Sequence, residues 1–134
     1  HVLTHDDRPI PDDQKLAPQL EKVHAMALFT MQQFAFLLKE LASHPEGDGT
    51  LLDNCLIYGT SEHSNASVHS LVDMPVVLAG TAGGAIKSGL HQRFPGQCIS
   101  RMLLTCLHAV GIEEPSIGAG DATASEPLSE LLVG

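Results

Sequence analysis

Two short apolar runs, one on each side of a polar loop, constrain the fold of this chain more than any other feature of its sequence. The runs are residues 55–58 (CLIY) and 75–79 (PVVLA), and neither alternates apolar with polar residues. Such runs are typical of strands covered on both faces, because a strand with one face in water would alternate. The sequence therefore predicts an α/β structure in which helices pack against a sheet.

Two helical patterns are available to cover these strands. Apolar residues recur at steps of three and four over Pro18–Ser43, which predicts a long amphipathic helix. Proline and two glycines in residues 44–49 end this helix. A second helix is predicted over residues 97–110, and it stops at Gly111.

The rest of the chain has weaker patterns. We expect a loop over residues 1–15, a short hairpin over 86–94, and an irregular tail over 113–134 with a final turn at 127–132. Residues 1–134 are expected to form a single domain. Two strands are too few for a closed architecture, so either further strands precede them in a longer chain or the chain completes itself by self-association. We therefore expect a homo-oligomer, a dimer or larger.

Charge and apolar content exclude several classes of partner. The chain has 16 acidic and 7 basic residues, and its net charge of -9 argues against nucleic acid or an anionic membrane surface as the main partner. The longest apolar stretches, such as residues 74–79, are far shorter than the roughly 20 residues of a membrane-spanning helix. The three cysteines show no C-x-x-C spacing and are read as small buried apolar residues.

The polar loop between the two predicted strands holds the chemistry-bearing side chains. Glu62 and His63 follow the first strand, and His69 lies in the same loop. In open α/β sheets, ligands bind beyond the carboxyl ends of the strands, so these groups are positioned to bind something. From position alone, loop capping by Glu62 and His63 is an equal alternative. Asp73 is more typical of a turn residue than of a ligand.

A second group of histidines stands at the amino end. His1 and His5 are four residues apart, and neutral imidazole is a good ligand for zinc and related ions. Spacing alone also allows both histidines to be solvated, and that is the more frequent outcome for such a pair.

Ser61 lies in a segment similar to a nucleophile elbow, the strand-to-helix turn that presents a catalytic serine. The segment Gly59-Thr60-Ser61-Glu62-His63 has histidine where that motif requires its second glycine. No predicted helix follows to stabilise an oxyanion. We therefore do not expect Ser61 to act as a nucleophile.

Taken in order, motifs along nearly the whole chain resemble those of a known family. They are His1-x-x-Thr4-His5-Asp6, the long helix, residues 48–54 (DGTLLDN), Gly59-x-x-Glu62 with Asn65 and His69, residues 74–80 (MPVVLAG), and Gly83-Gly84. The chain resembles the C-terminal part of the HXXSHH family, bacterial proteins of unknown function that are similar to the alkaline-phosphatase and sulfatase superfamily.

This resemblance implies a fold and a site. The fold would be a partial alkaline-phosphatase-like layered sheet with flanking helices, and residues 1–134 would be the C-terminal portion of a larger domain. His1, His5 and His69 would hold one divalent metal ion, with zinc as a candidate, and Glu62 and His63 would hold another. The implied substrate is a small anionic phosphate or sulfate ester. The resemblance also implies that the full-length protein is exported across a bacterial membrane or is periplasmic.

Departures from the family pattern bear on activity. Thr4 replaces the motif serine, Asp6 replaces its last histidine, and Glu62 stands where the superfamily prefers aspartate. The superfamily's nucleophilic Ser or Thr and its first aspartate ligand lie in an N-terminal strand region outside these residues, so this fragment by itself is expected to be catalytically incomplete. The alternative is a non-catalytic binding or structural module that retains the fold.

Overall fold

A computed structural model describes residues 18–134, so the predicted loop over residues 1–15 lies outside the described residues. The elements in chain order are α1 (Pro18–Ser43), β1 (Pro45–Glu46), β2 (Gly49–Thr50), α2 (Leu51–Asn54), β3 (Ile57–Thr60), β4 (Val76–Ala79), α3 (Ile99–Ala109), and two 3-10 turns, Gly120–Ala122 and Ser129–Leu131. The strands form two two-stranded sheets, β1 with β2 and β3 with β4. Both predicted helices are confirmed, and both predicted strands are present, although β3 begins two residues after the start of its predicted run, 55–58.

The structure is mixed α and β, as the apolar runs predicted, whereas the layering of an alkaline-phosphatase-like sheet stays a prediction. The expected hairpin over residues 86–94 is wrong. Ile86 forms an isolated antiparallel bridge with Leu132, and the segment that follows Ile86 contains no strand. The backbone partner of Ile86 is thus remote in sequence, and a local turn signal at Ser88-Gly89 could not reveal it.

The described residues divide into two compact units, residues 18–40 with 60–76 and residues 41–59 with 77–134. The first unit contains most of α1 and the polar loop. Along residues 21–40 of α1, Val23, Phe34 and Leu38 are half-buried, and the other side chains are exposed. The amphipathic pattern thus forms a helix with one shallowly buried stripe.

The second unit begins with a tightly hydrogen-bonded turn. Asp53 Oδ2 accepts from the backbone N–H of Thr50 at 2.8 Å and from its hydroxyl at 2.7 Å, while Thr50 Oγ1 accepts from the Asp53 N–H at 3.4 Å. This reciprocal pattern is a capping box, and it begins α2 immediately after β2. The hydrogen bonds to Thr50 lower the pKa of the Asp53 carboxyl from its ordinary value.

Glycine is required where the chain leaves β4. Gly80 has φ +86, and a Cβ at this position would lie 2.2 Å from the Cys55 carbonyl oxygen. The loop beyond it is held by Asp53, whose carbonyl accepts from Thr81 Oγ1 at 2.7 Å and from Gly83 N–H at 2.8 Å. These contacts join α2 to the loop that follows β4.

The core of the second unit lies between α3 and the C-terminal tail. The buried apolar side chains of the described residues are Ile86, Leu104, Ala109, Ala124, Leu128 and Leu131. Arg101 on α3 donates to the carbonyls of Glu126 at 3.0 Å and Pro127 at 2.9 Å, which fixes the tail against the helix. A tail with little regular structure therefore supplies half of this core.

Within residues 18–134, none of the helices combines the length and the apolar content needed to cross a bilayer.

Candidate functional site

The loop between β3 and β4 is folded by its own hydrogen bonds. Asn65 and Ser70 form an isolated antiparallel bridge, in which Ser70 N–H donates to the Asn65 carbonyl at 3.0 Å. Ser64 N–H donates to the Ser70 carbonyl at 2.9 Å. The loop is therefore closed near its middle, and residues 66–69 form the turn between the two bridging residues.

Asn65 also shapes the turn through its side chain. Its Oδ1 accepts from the Ser67 N–H at 3.1 Å, from the Ser67 hydroxyl at 3.0 Å and from the Val68 N–H at 3.3 Å. An asparagine that accepts from the backbone two and three residues ahead forms an Asx-type turn. This turn leads the chain back to Ser70 through His69, whose φ of +50 lies in the left-handed region.

The fold of the loop brings two of the predicted ligands together. The rings of His63 and His69 are stacked, with centroids 4.7 Å apart and planes inclined by 24°. His63 is half-buried and its backbone N–H donates to Ser61 Oγ at 3.4 Å, whereas His69 is exposed. The site thus pairs a half-buried imidazole, whose backbone is hydrogen-bonded to Ser61, with an exposed imidazole.

The His63 ring contains a nitrogen with no described partner. His63 Nδ1 is buried, and in the part of the chain that the structure describes it has no hydrogen-bond partner. Leaving a buried polar atom unsatisfied costs about 1–3 kcal/mol, so such an atom is usually matched by a ligand, an ion or a water. His63 Nδ1 is therefore the strongest candidate ligand atom of the loop.

The remaining predicted ligands are Glu62, His1 and His5. Glu62 is exposed beside His63, and His1 and His5 lie outside the described residues. Among residues 18–134, no three His, Cys, Asp or Glu side chains are grouped closely enough to hold a metal ion. Imidazole and carboxylate are the donors that zinc takes, so the donor types fit a metal, and two imidazoles are a partial ligand set.

Chemically, the described loop offers two imidazoles, a neighbouring carboxylate and an ordered serine. Ser61 accepts the His63 N–H, so its hydroxyl fixes the loop backbone. Asn65 and Ser70 close the loop and set the separation of the two histidines, and these roles were not predicted from the sequence. The Asn-x-Ser signal, which favours a side-chain-stabilised turn, could have pointed to Asn65.

Comparisons with known proteins return no relative: no family model matches the chain, and no curated protein or solved structure is significantly similar to it. The resemblance to the HXXSHH family, and the ligand assignments that it implies, therefore stay predictions.

Proposed function

We propose that this chain supplies histidine ligands to a divalent-metal site of a phosphate- or sulfate-ester hydrolase-like protein. The observation that carries the proposal is the buried Nδ1 of His63, which has no partner among the described residues and belongs to a ring stacked on His69. A metal ion is a natural partner for such a nitrogen, because neutral imidazole donates its ring lone pair to zinc and similar ions.

The proposed ligand assignment follows the family resemblance. Glu62 and His63 would bind one ion, and His69 would bind a second ion together with His1 and His5. An assignment of His63 and His69 to different ions follows the pattern of two-metal hydrolytic centres, whose ions lie about 3.5–4 Å from each other. When bound, such ions would polarise an ester oxygen and stabilise the negative charge of the leaving group.

The role of the described residues is to position these ligands. Ser61 accepts from the His63 backbone, and the Asn65–Ser70 bridge fixes the turn that carries His69. A ligand held by its own loop needs less reordering when the metal binds, which supports affinity.

A calorimetric titration with zinc tests this proposal. We expect saturable binding to the wild-type chain, and we expect His63→Ala and His69→Ala each to weaken it at least about tenfold, the usual scale for losing a ligand or its support. His91→Ala is the matched control, because His91 is an exposed histidine remote in sequence from the loop. Binding that is absent in the wild type, or insensitive to His63→Ala, would reject the metal site.

A non-catalytic binding module is the second candidate function. It is favoured by three apolar side chains on the same loop, Val68, Leu71 and Val72, which are 72%, 67% and 73% exposed. Exposed apolar patches often mark interaction sites. Inorganic phosphate separates the two functions, at a concentration too low to precipitate free zinc. A hydrolase-like centre should bind phosphate only when zinc is present, whereas a module without this chemistry should show no zinc-dependent phosphate binding.

A further inference from the structure

Helix α1 carries an exposed stripe with the spacing of a coiled-coil seam. Six exposed residues follow one another at steps of four, three, four, three and four: Lys22, Met26, Phe29, Gln33, Phe36 and Glu40. At 100° per residue they lie within an arc of about 80°, and they extend along about 27 Å of the helix. We call these six residues the α1 seam.

The centre of the α1 seam is apolar and exposed. Met26 is 56% exposed, and Phe29 and Phe36 are each 61% exposed. Large apolar side chains recurring at alternating steps of three and four are the pattern by which two helices pack side by side. The α1 seam lies on the opposite side of the helix from the half-buried Phe34 and Leu38.

We propose that the α1 seam binds the same seam of a second copy of this chain, with the two helices antiparallel. The seam is symmetric about residue 31, so an antiparallel pair places Met26 against Phe36 of the other copy and Phe29 against Gln33. Met26 and Phe36 then form a sulfur–aromatic contact twice in the dimer.

The charges at the two ends of the seam select this orientation. In the antiparallel pair Lys22 of each copy faces Glu40 of the other, which gives an attractive pair at each end. In a parallel, in-register pair each Lys22 would face Lys22, and each Glu40 would face Glu40. Like charges directly opposed are destabilising, so the charge pattern favours the antiparallel dimer.

The dimer would also gain from a helix that is already formed. α1 runs over 26 residues of a folded chain, so association does not have to provide the nucleation cost that makes short isolated helices marginal. Leu37, which is 45% exposed, flanks the seam and would pack along its edge. This inference is independent of the metal site.

Sedimentation velocity over a range of protein concentrations tests the apolar part of the seam. We expect a concentration-dependent dimer for the wild type and a monomer for Phe29→Glu. Leu28→Glu is the matched control, because Leu28 is also exposed, at 51%, but lies outside the seam. Circular dichroism checks that both variants keep their helix content. A wild-type chain that is monomeric at about 100 μM, or equal effects of the two variants, would overturn the proposal.

A charge exchange tests the orientation. Lys22→Glu and Glu40→Lys should each weaken the dimer about tenfold at low ionic strength, because each variant opposes like charges at both ends of the antiparallel seam. The double variant Lys22→Glu/Glu40→Lys should recover the wild-type dimer. A double variant whose dimer is no tighter than the dimers of the single variants would exclude the antiparallel register. In a parallel pair, none of the three variants brings opposite charges together.

Discussion

Thr105 and Leu128 are joined by a buried hydrogen bond in which the Leu128 backbone N–H donates to the Thr105 hydroxyl at 2.7 Å. Thr105 is fully buried and its own hydroxyl donates to the Arg101 carbonyl at 2.6 Å. A single hydroxyl thus satisfies a backbone group of the tail and connects it to the middle of α3. The tail is held to the core by polar contacts as well as by Leu128 and Leu131.

Replacing Thr105 with valine tests this connection. Thr105→Val keeps the shape of the side chain and leaves the Leu128 N–H buried without an acceptor, so the free energy of unfolding should fall by about 1–3 kcal/mol. Urea unfolding measures the change. Thr105→Ser is the control: it loses only a methyl group and keeps the hydroxyl, so it should cost less. A valine variant as stable as the wild type would show that the hydrogen bond contributes nothing.

Gly80 is expected to be the least replaceable glycine of the β4 turn. A Cβ at Gly80 would lie 2.2 Å from the Cys55 carbonyl oxygen and 2.7 Å from that of Leu52, and both atoms belong to the backbone. Gly80→Ala should therefore destabilise the chain by more than about 3 kcal/mol or prevent folding. Gly84→Ala is the control, since Gly84 has φ +93 with no atom within 4 Å of the added carbon. Its cost should be about 1–2 kcal/mol, the strain of the backbone conformation alone.

The capping box at α2 makes stability depend on pH in the acidic range. Hydrogen bonds from Thr50 lower the pKa of folded Asp53 below its ordinary value of 3.8. The unfolded state therefore binds the proton first, so this contribution is present above pH 3.8 and is lost as the pH falls through the lowered, folded pKa.

We expect the thermal midpoint of the wild type to fall more steeply with acidification than that of Asp53→Asn, because asparagine does not titrate. Asp121→Asn controls for the general effect of removing one exposed carboxylate. The two variants should therefore differ in the slope of the midpoint against pH below about pH 5. Equal slopes for Asp53→Asn and the wild type would contradict the role of the capping box.

The buried nitrogen of His63 makes a prediction for the metal-free chain. If Nδ1 lacks a partner, His63→Phe removes an unsatisfied polar atom and keeps a flat ring against His69. Its free energy of unfolding in the presence of a chelator should therefore equal or exceed that of the wild type. A loss of about 1–3 kcal/mol would instead reveal a hydrogen-bond partner for this nitrogen. Urea unfolding of both proteins with excess chelator provides the measurement.

Local patterns were enough to predict the two longest helices and strands β3 and β4, whereas β1, β2 and α2 were not predicted. The bounds expected for the first helix, Pro18–Ser43, agree with the structure, because the signals that begin and end a helix lie within a few residues of its ends. The apolar runs predicted β3 and β4 for a similar reason. The polar loop that holds His63 and His69 could also be recognised, since its composition differs from that of the strands beside it.

Contacts between distant residues could not be predicted in this way. The pairing of Ile86 with Leu132, and the bond from Leu128 to Thr105, depend on how the tail returns to α3, and no nearby residue encodes that path. The same holds within the loop, where the Asn65–Ser70 bridge brings the ring centroids of His63 and His69 to a distance of 4.7 Å. Periodicity determines which residues form a helix or strand. Helix hydrogen bonds join residues that are close in sequence, and the apolar face of a helix or strand repeats at a fixed spacing. Which buried atoms meet is decided only when the folded chain closes around them.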